Sequence, residues 1–478
     1  MIFHLCYEII NRRMKAPTKK ILIVIILSIC LGCVAKADLA GKIDGIIRRP
    51  SQKKVQFSIH IVKADSGKTV YNRHSTKALI PASNMKIIVT AAALKYLGPD
   101  YEYKTKVGLR DDTLIVIGSG DPLLGDENTD SKYSRERNWI FRDIAAVLKR
   151  NGIRTIKDII VDTTVFDDQR VHPSWPKEEL NRWYACEVSG LNFNDNCIAV
   201  TAKNNGDKVT IFVEPQTNYV KFINKVKPLS KGSSTIGSYR NQEPNRITIH
   251  GKCRKQAGPF DVAIERPAAF FAYLLAENLA KEGINATGQI IEKPVADEDV
   301  RVLAEYSTSI VDCLARCNKN SLGLAAEALL KTIAAEGSPD KKNGRWVMGR
   351  EMISRYLSEL GINSREFYID DASGLSHQNK LSANAITKVL LNVYKSENWP
   401  LYKDSFAVGG VDGTIDKYFK ERKYKGKIFG KTGYISGAKS FSGICSTAEG
   451  IYIFSILANK ANGQTRSVIN DIAKAIVD

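Results

Sequence analysis

Apolar and polar positions alternate with a period of two from Gln56 to Lys63, where Phe57, Ile59 and Ile61 are separated by Ser58 and His60. The turn Asp65-Ser66-Gly67 then leads into a short run, Thr69 to Asn72. A period of two puts one residue set on one face of a strand, so the two runs predict a β-hairpin. The pattern changes at Pro81-Ala82-Ser83, which leads into Asn84 to Leu97, rich in Ala, Leu, Ile and Met and ended by Gly98-Pro99. That is a helix with both ends marked. From about Tyr101 to Val300, short β-like runs such as Thr113 to Ile117 and Lys208 to Val213 are broken by Gly, Asp, Asn and Pro, which predicts inserted β-rich material. Trp175-Pro176 and Tyr184 within it read as core aromatics. Helical patterns return at Ser321 to Ala335 and Arg345 to Leu360, followed by strand candidates at Lys439 to Cys445 and Ile451 to Leu457 and a closing helix at Thr465 to Val477.

With 478 residues, 44% of them hydrophobic, the chain can bury several cores and is not globally disordered. If the early hairpin and the late strands share one sheet, residues 38–100 and 301–478 form one domain and 101–300 is inserted into it. The first 37 residues read as an export signal. Lys15, Lys19 and Lys20 precede the apolar run Ile21 to Leu31, and Ala35-Lys36-Ala37 offers a cleavage pattern that would start the mature chain near Asp38. An eleven-residue helix spans about 16 Å, roughly half a hydrocarbon core, which argues against a transmembrane anchor. Cys33, after Leu31-Gly32, is the weaker reading as a lipoprotein acceptor, because Cys30 at the third position before it is atypical.

The formal charge is +19, and the first 37 residues contribute six basic residues and one acidic. This excess suits anionic surroundings and leaves peripheral membrane contact open, but no basic stripe interleaved with aromatics points to nucleic acid. Six cysteines remain beyond the signal (Cys186, Cys197, Cys253, Cys313, Cys317 and Cys445), an even number that permits disulfides without assigning them. The histidines show no ligand spacing, so neither a metal nor another cofactor is called for.

Ser-x-x-Lys occurs five times, and alone it reads as an N-cap serine with a solvated lysine. Only Ser83 stands at the start of a strongly apolar helix, where Lys86, three residues on, shares its face. The helix start also offers backbone donors and a positive end for an oxyanion. Much later comes a single Lys431-Thr432-Gly433 ahead of strand-like sequence. A serine enzyme acting on a peptide with a free C-terminal carboxylate needs a fixed cation and a hydroxyl, which Lys431 and Thr432 supply, while Gly433 allows close backbone approach. Between these motifs lies Asn320-Ser321-Leu322-Gly323. The order Ser-x-x-Lys, Ser-x-Asn, Lys-Thr-Gly is the signature set of penicillin-binding proteins and serine β-lactamases. Here Ser321 is present, but Gly323 stands where asparagine belongs.

With Leu97-Gly98-Pro99-Asp100-Tyr101, Gly118-Ser119-Gly120-Asp121-Pro122, Asn192 to Cys197, Asp371-Ala372-Ser373-Gly374-Leu375-Ser376 and Gly410-Val411-Asp412-Gly413-Thr414, the chain resembles the D-alanyl-D-alanine carboxypeptidases of the penicillin-binding protein 4 type, peptidase family S13. The long separation of Ser83 from Ser321 fits that family's inserted domains. The resemblance implies an α+β fold, a serine β-lactamase/transpeptidase-like domain whose antiparallel sheet is flanked by helices, with inserted β-rich domains. It implies a periplasmic enzyme acting on peptidoglycan peptides that end in D-Ala-D-Ala, with β-lactams as covalent inhibitors. By motif position, Ser83 is the nucleophile, Lys86 its base and Ser321 the proton relay to the leaving amine. Lys431, Thr432 and Gly433 bind substrate, and the oxyanion sits between the N–H groups of Ser83 and Tyr434. Burial and the Lys431 charge are both expected to lower the Lys86 pKa. Loss of the asparagine amide at Gly323 is expected to cost about 1 to 3 kcal/mol, slowing turnover about ten- to a hundredfold, so Gly323→Asn should leave activity equal or higher. The rivals are a DD-endopeptidase, a β-lactamase or esterase, for which no added general base is evident, and a catalytically silent wall-binding protein.

Overall fold

The two ends of the chain meet in one sheet. In the computed structural model, which describes residues 39–478, strands β1 (Gln56–Lys63), β2 (Thr69–Arg73), β3 (Ala407–Val408), β4 (Ile428–Ile435), β5 (Ala438–Thr447) and β6 (Gly450–Asn459) lie in the order β3-β4-β5-β6-β1-β2, antiparallel throughout. The export signal and Cys33 fall outside the described residues. β1 pairs with β6 along its full length, from Gln56 opposite Asn459 to Lys63 opposite Tyr452.

The period of two sends the two residue sets of these strands into different cores. Phe57, Ile59, Ile61, Phe441, Phe454 and Ile456 pack with Val468, Ile469 and Ile472 of the C-terminal helix, α5 (Thr465–Val477), and with Ile43 and Ile47 of the helical stretch 39–47. Val62, Ile444, Ile453 and Leu457 face the other way, into a core shared with α1 (Met85–Leu97), α2 (Ile310–Lys319), α3 (Gly323–Glu336) and α4 (Ala383–Tyr394). α1 is buried continuously from Met85 to Leu94 and α3 from Gly323 to Ala335. A helix apolar on every side is stable only when enclosed, and these two form the centre of the molecule beneath the sheet. The result is the α+β arrangement expected from the sequence.

The middle of the chain holds a five-stranded sheet in the order Ile290–Glu292, Ile159–Asp162, Thr113–Ile117, Glu102–Arg110, Arg301–Ser309, and two three-stranded sheets beyond it. Two helices missed by the sequence reading, Trp139–Arg150 and Pro267–Lys281, supply Phe141, Ile144, Phe270, Phe271 and Leu274 to its core. Arg301–Ser309 also corrects the expected boundary at 300. It pairs with Glu102–Arg110, Ser309 opposite Glu102 and Arg301 opposite Leu109, and so belongs to the middle sheet. The six cysteines are buried, unpaired thiols. Among the described residues no helix is long and apolar enough to cross a membrane.

Because β1 and β6 come from opposite ends of the chain, a protease cut in an exposed loop between 101 and 300 should leave the two flanking fragments associated. Their co-elution on size exclusion after limited proteolysis is the expected result, and separation would contradict the shared sheet.

Candidate active site

The turn carrying Ser83 is built under strain and clamped from several sides. Ala82–Asn84 forms a 3-10 turn that runs directly into α1, so the helix expected from Asn84 begins at Met85 and Ser83 lies in the turn just before it. Ala82 has φ +47, a conformation L-residues adopt only when their surroundings enforce it. The enforcement comes from the sheet. Ser440 Oγ donates to the Pro81 carbonyl at 2.6 Å, Asn84 Nδ2 donates to the Lys431 carbonyl at 2.6 Å, and Ser442 Oγ donates to Asn84 Oδ1 at 2.6 Å. Two glycines let backbone press against the turn. A Cβ on Gly433 would lie 3.0 Å from the Ser83 nitrogen and 2.1 Å from Ser440 Oγ, and one on Gly374, whose φ is +83, would lie 1.9 Å from the Ala82 carbonyl oxygen.

Lys86 follows on the same helix face, 2% exposed, with Nζ 3.3 Å from Ser83 Oγ and donating to the Ser373 carbonyl at 2.6 Å. Burial lowers its pKa, opposed by Cys317 and by the carboxylates of Glu327 and Asp371. The sequence reading gave Lys431 a share of that lowering; in the structure burial is what lowers it. The repulsion is felt on Lys431, which burial first and Lys86 second hold well below the usual lysine range.

Lys431 is fully buried within β4, not ahead of a strand as expected. Its Nζ donates to Ser321 Oγ and to the Thr432 carbonyl, both at 2.7 Å. Ser321 sits between α2 and α3 with φ +67, and among the described residues its hydroxyl contacts Lys431 and makes no hydrogen bond to Ser83 or Lys86. Thr432 Oγ1 donates to Thr414 Oγ1 at 3.1 Å. Tyr434 is 68% exposed at the mouth. β3 covers β4 only at Phe429 and Gly430, so among the described residues the edge from Lys431 to Ile435 has no strand partner on that side. Of the residues named from the sequence, Ser83, Lys86, Ser321, Lys431, Thr432, Gly433 and Tyr434, the structure sets Lys86 beside Ser83, Ser321 beside Lys431 and Gly433 against the Ser83 nitrogen, with Thr432 and Tyr434 as their neighbours along β4.

Several contributors were missed. Arg466 of α5 donates to the Gly433 carbonyl at 2.7 Å and the Ser440 carbonyl at 3.1 Å, bracing β4 from behind. Asp371 accepts from Gly374 N and Ser376 N, both at 2.8 Å, and from the Trp175 indole at 2.9 Å. Trp175, read as core, thus ties the inserted chain to the loop behind Lys86. Glu327 accepts main-chain N–H groups of that same loop. Its one sequence signal was a carboxylate in the otherwise apolar run Leu324 to Leu330.

The expectation at Gly323 also changes. A Cβ there would lie 3.0 Å from the Tyr184 carbonyl oxygen, so an asparagine is tight against the turn Trp183–Ala185 from the inserted portion, which would have to give by a few tenths of an ångström.

A serine at a helix start within reach of a buried lysine, beside a lysine-bearing strand of an antiparallel sheet, fits a serine peptidase of the D-Ala-D-Ala carboxypeptidase type. Residues 39–478 match the model of the D-Ala-D-Ala carboxypeptidase 3 (S13) family, and the chain belongs to that family. It is 28% identical over 462 residues to a D-alanyl-D-alanine carboxypeptidase of an Actinomadura species, covering 91% of this chain and 83% of the relative. It is 24% identical over 400 residues to the D-alanyl-D-alanine carboxypeptidase DacB of Haemophilus influenzae, covering 78% of each chain. The crystal structure of penicillin binding protein 4 from Haemophilus influenzae shares the fold, with a TM-score of 0.75 at 22% identity over 92% of this chain and 98% of that one.

Replacing Gly323 with Asn forces the side chain against the Tyr184 carbonyl. The expected result is slower penicillin acylation together with a lower Tm; an equal or higher rate would show that the 183–185 turn yields and that the missing amide was the greater loss.

Proposed function

We propose that the cleft cuts the terminal D-Ala-D-Ala bond of peptidoglycan peptides through an acyl-enzyme on Ser83. The observation that carries this reading is a buried lysine amine 3.3 Å from the Ser83 hydroxyl, in a site whose burial favours the neutral amine. Lys86 takes the Ser83 proton as the oxygen attacks the D-Ala carbonyl. The developing oxyanion lies between the N–H groups of Ser83 and Tyr434, a placement supported by the close approach of Gly433, the residue before Tyr434, to the Ser83 nitrogen. The proton passes to the leaving amine through Ser321, whose hydroxyl is oriented by Lys431. Water then releases the shortened peptide.

The substrate carboxylate has a clear electrostatic partner. Lys431 is fully buried, with its pKa well below the usual lysine range, and an arriving carboxylate supplies the missing counter-charge. The partnerless edge of β4 gives an extended peptide a place to lie alongside Lys431 to Ile435. The enzyme acts outside the cytoplasm, in the periplasm, after export on residues 1–37. β-Lactams, which present a strained amide and a carboxylate in one small molecule, acylate Ser83 and are released slowly.

Incubating the mature protein with a penicillin and weighing intact chains and peptides by mass spectrometry should give an adduct on Ser83 that Ser83→Ala abolishes. No adduct on the wild type would return the chain to the silent wall-binding reading. A cross-linked muropeptide offered beside a D-Ala-D-Ala pentapeptide separates endopeptidase from carboxypeptidase action. The acylation rate should fall as pH drops through the Lys86 pKa, because only the free amine accepts the Ser83 proton, and that acid limb should lie below the pKa of an exposed lysine. A rate that did not fall with pH would remove Lys86 from the role of base.

A further inference from the structure

Behind Lys86, on the side away from the cleft, two fully buried carboxylates share one loop. Glu327 of α3 accepts Ser373 N at 2.7 Å through Oε1, and Ala372 N at 3.2 and 3.1 Å through its two oxygens. Its Oε2 accepts the Trp346 indole N–H at 2.8 Å. Asp371 Oδ1 takes Gly374 N at 2.8 Å, and the carbonyl of that same peptide unit, Ser373 C=O, receives Lys86 Nζ at 2.6 Å. The next residue, Gly374, is the one whose backbone presses on Ala82 and Ser83. A shift in this loop therefore moves base and nucleophile together.

We propose that Glu327 is a positioning residue for acylation: it fixes the Ala372-Ser373 main chain, whose Ser373 carbonyl aims Lys86 Nζ at Ser83. This rests on Ser83 being the acylated residue. The groups facing Lys86 are Cys317 from α2, Glu327 from α3, Asp371 from the loop and Lys431 from β4; those facing Glu327 are Asp371, Lys331 one turn along α3, Cys317 and Lys86. An ionised Glu327 favours the charged form of Lys86. Burial, with the Asp371 charge second, raises Glu327 itself to about 7. Glu327 carries its charge above about pH 7, so removing it lowers the proton affinity of Lys86 in that range and moves an acid limb lying there to lower pH.

The test is the pH profile of penicillin acylation, read by intact mass or a fluorescent penicillin, for wild type and three variants. Glu327→Gln keeps the volume but turns one amide N–H₂ toward a donor, either Trp346 or Ser373. The rate at its optimum should fall about ten- to a hundredfold, and the acid limb should move to lower pH. Adding Trp346→Phe removes the shorter of the two donors at Oε2 and leaves the Ala372 N–H at 3.1 Å, so the rate should partly recover while the limb stays displaced. Glu327→Asp keeps the charge but shortens the reach, and should slow acylation with the limb left at the wild-type position. An unmoved limb in both Gln variants overturns the electrostatic role, and an Asp variant within twofold of the wild-type rate overturns the positioning role. Should Glu327→Gln fail to fold, as judged by circular dichroism, the double variant and Glu327→Asp decide. A wild type that is never acylated would instead defeat the assignment of Ser83.

Discussion

Everything in the cleft answers to the burial of two lysine side chains in one small space. Lys86 and Lys431 are almost without solvent contact, and stripping water from an ammonium costs on the order of several kcal/mol even after a protein relaxes around it. Their mutual repulsion adds to that penalty on Lys431. The resting site is therefore short of negative charge on its open side and supplied with it at the back, where Glu327 and Asp371 lie. That asymmetry serves the chemistry. In the proposed mechanism an anionic peptide terminus completes the front, while the rear carboxylates favour the protonated form of Lys86 against its burial.

Holding such a site requires rigid backbone, and the fold supplies it by joining distant segments. The Ser83 turn is fastened to β5 through Ser440 and Ser442 and to β4 through Asn84. Its backbone is pressed by Gly433 from one side and Gly374 from the other. The positive φ of Ala82 and Ser321 is tolerable only inside this framework. β4 is braced from behind by Arg466, so the sheet, the C-terminal helix and the nucleophile turn behave as one mechanical unit.

What could be read from the sequence followed the range of the interactions involved. Ser83 and Lys86 were legible because a spacing of three on an apolar helix is local geometry, and Lys431 to Gly433 because the motif is contiguous. The hairpin, α1 and α5 were legible because their periodicity is carried in the chain itself. The strand Arg301–Ser309 was misplaced because its partner lies about two hundred residues earlier, at Glu102–Arg110, and nothing local shows which sheet it joins. Ser373 acts through its carbonyl, which every residue possesses, so no side-chain pattern could reveal it. Glu327 left a trace, since a carboxylate in an apolar helix must find donors wherever it is buried.

Gly323 shows most plainly how motif reading and packing differ. As a motif position it is a deletion: a side-chain amide is missing from the substrate wall. In the folded chain the position is crowded, because the turn Trp183–Ala185 of the inserted portion brings the Tyr184 carbonyl against the start of α3. A carbonyl accepts hydrogen bonds and cannot donate them, whereas an amide does both, so the wall has changed in polarity as well as in ownership. The inserted chain thereby packs against the start of α3. It is anchored there a second time by Trp175, whose indole is held by the same Asp371 that organises the loop behind Lys86. The missing asparagine is thus better understood as an exchange, in which room given up by one segment is taken by the main chain of another.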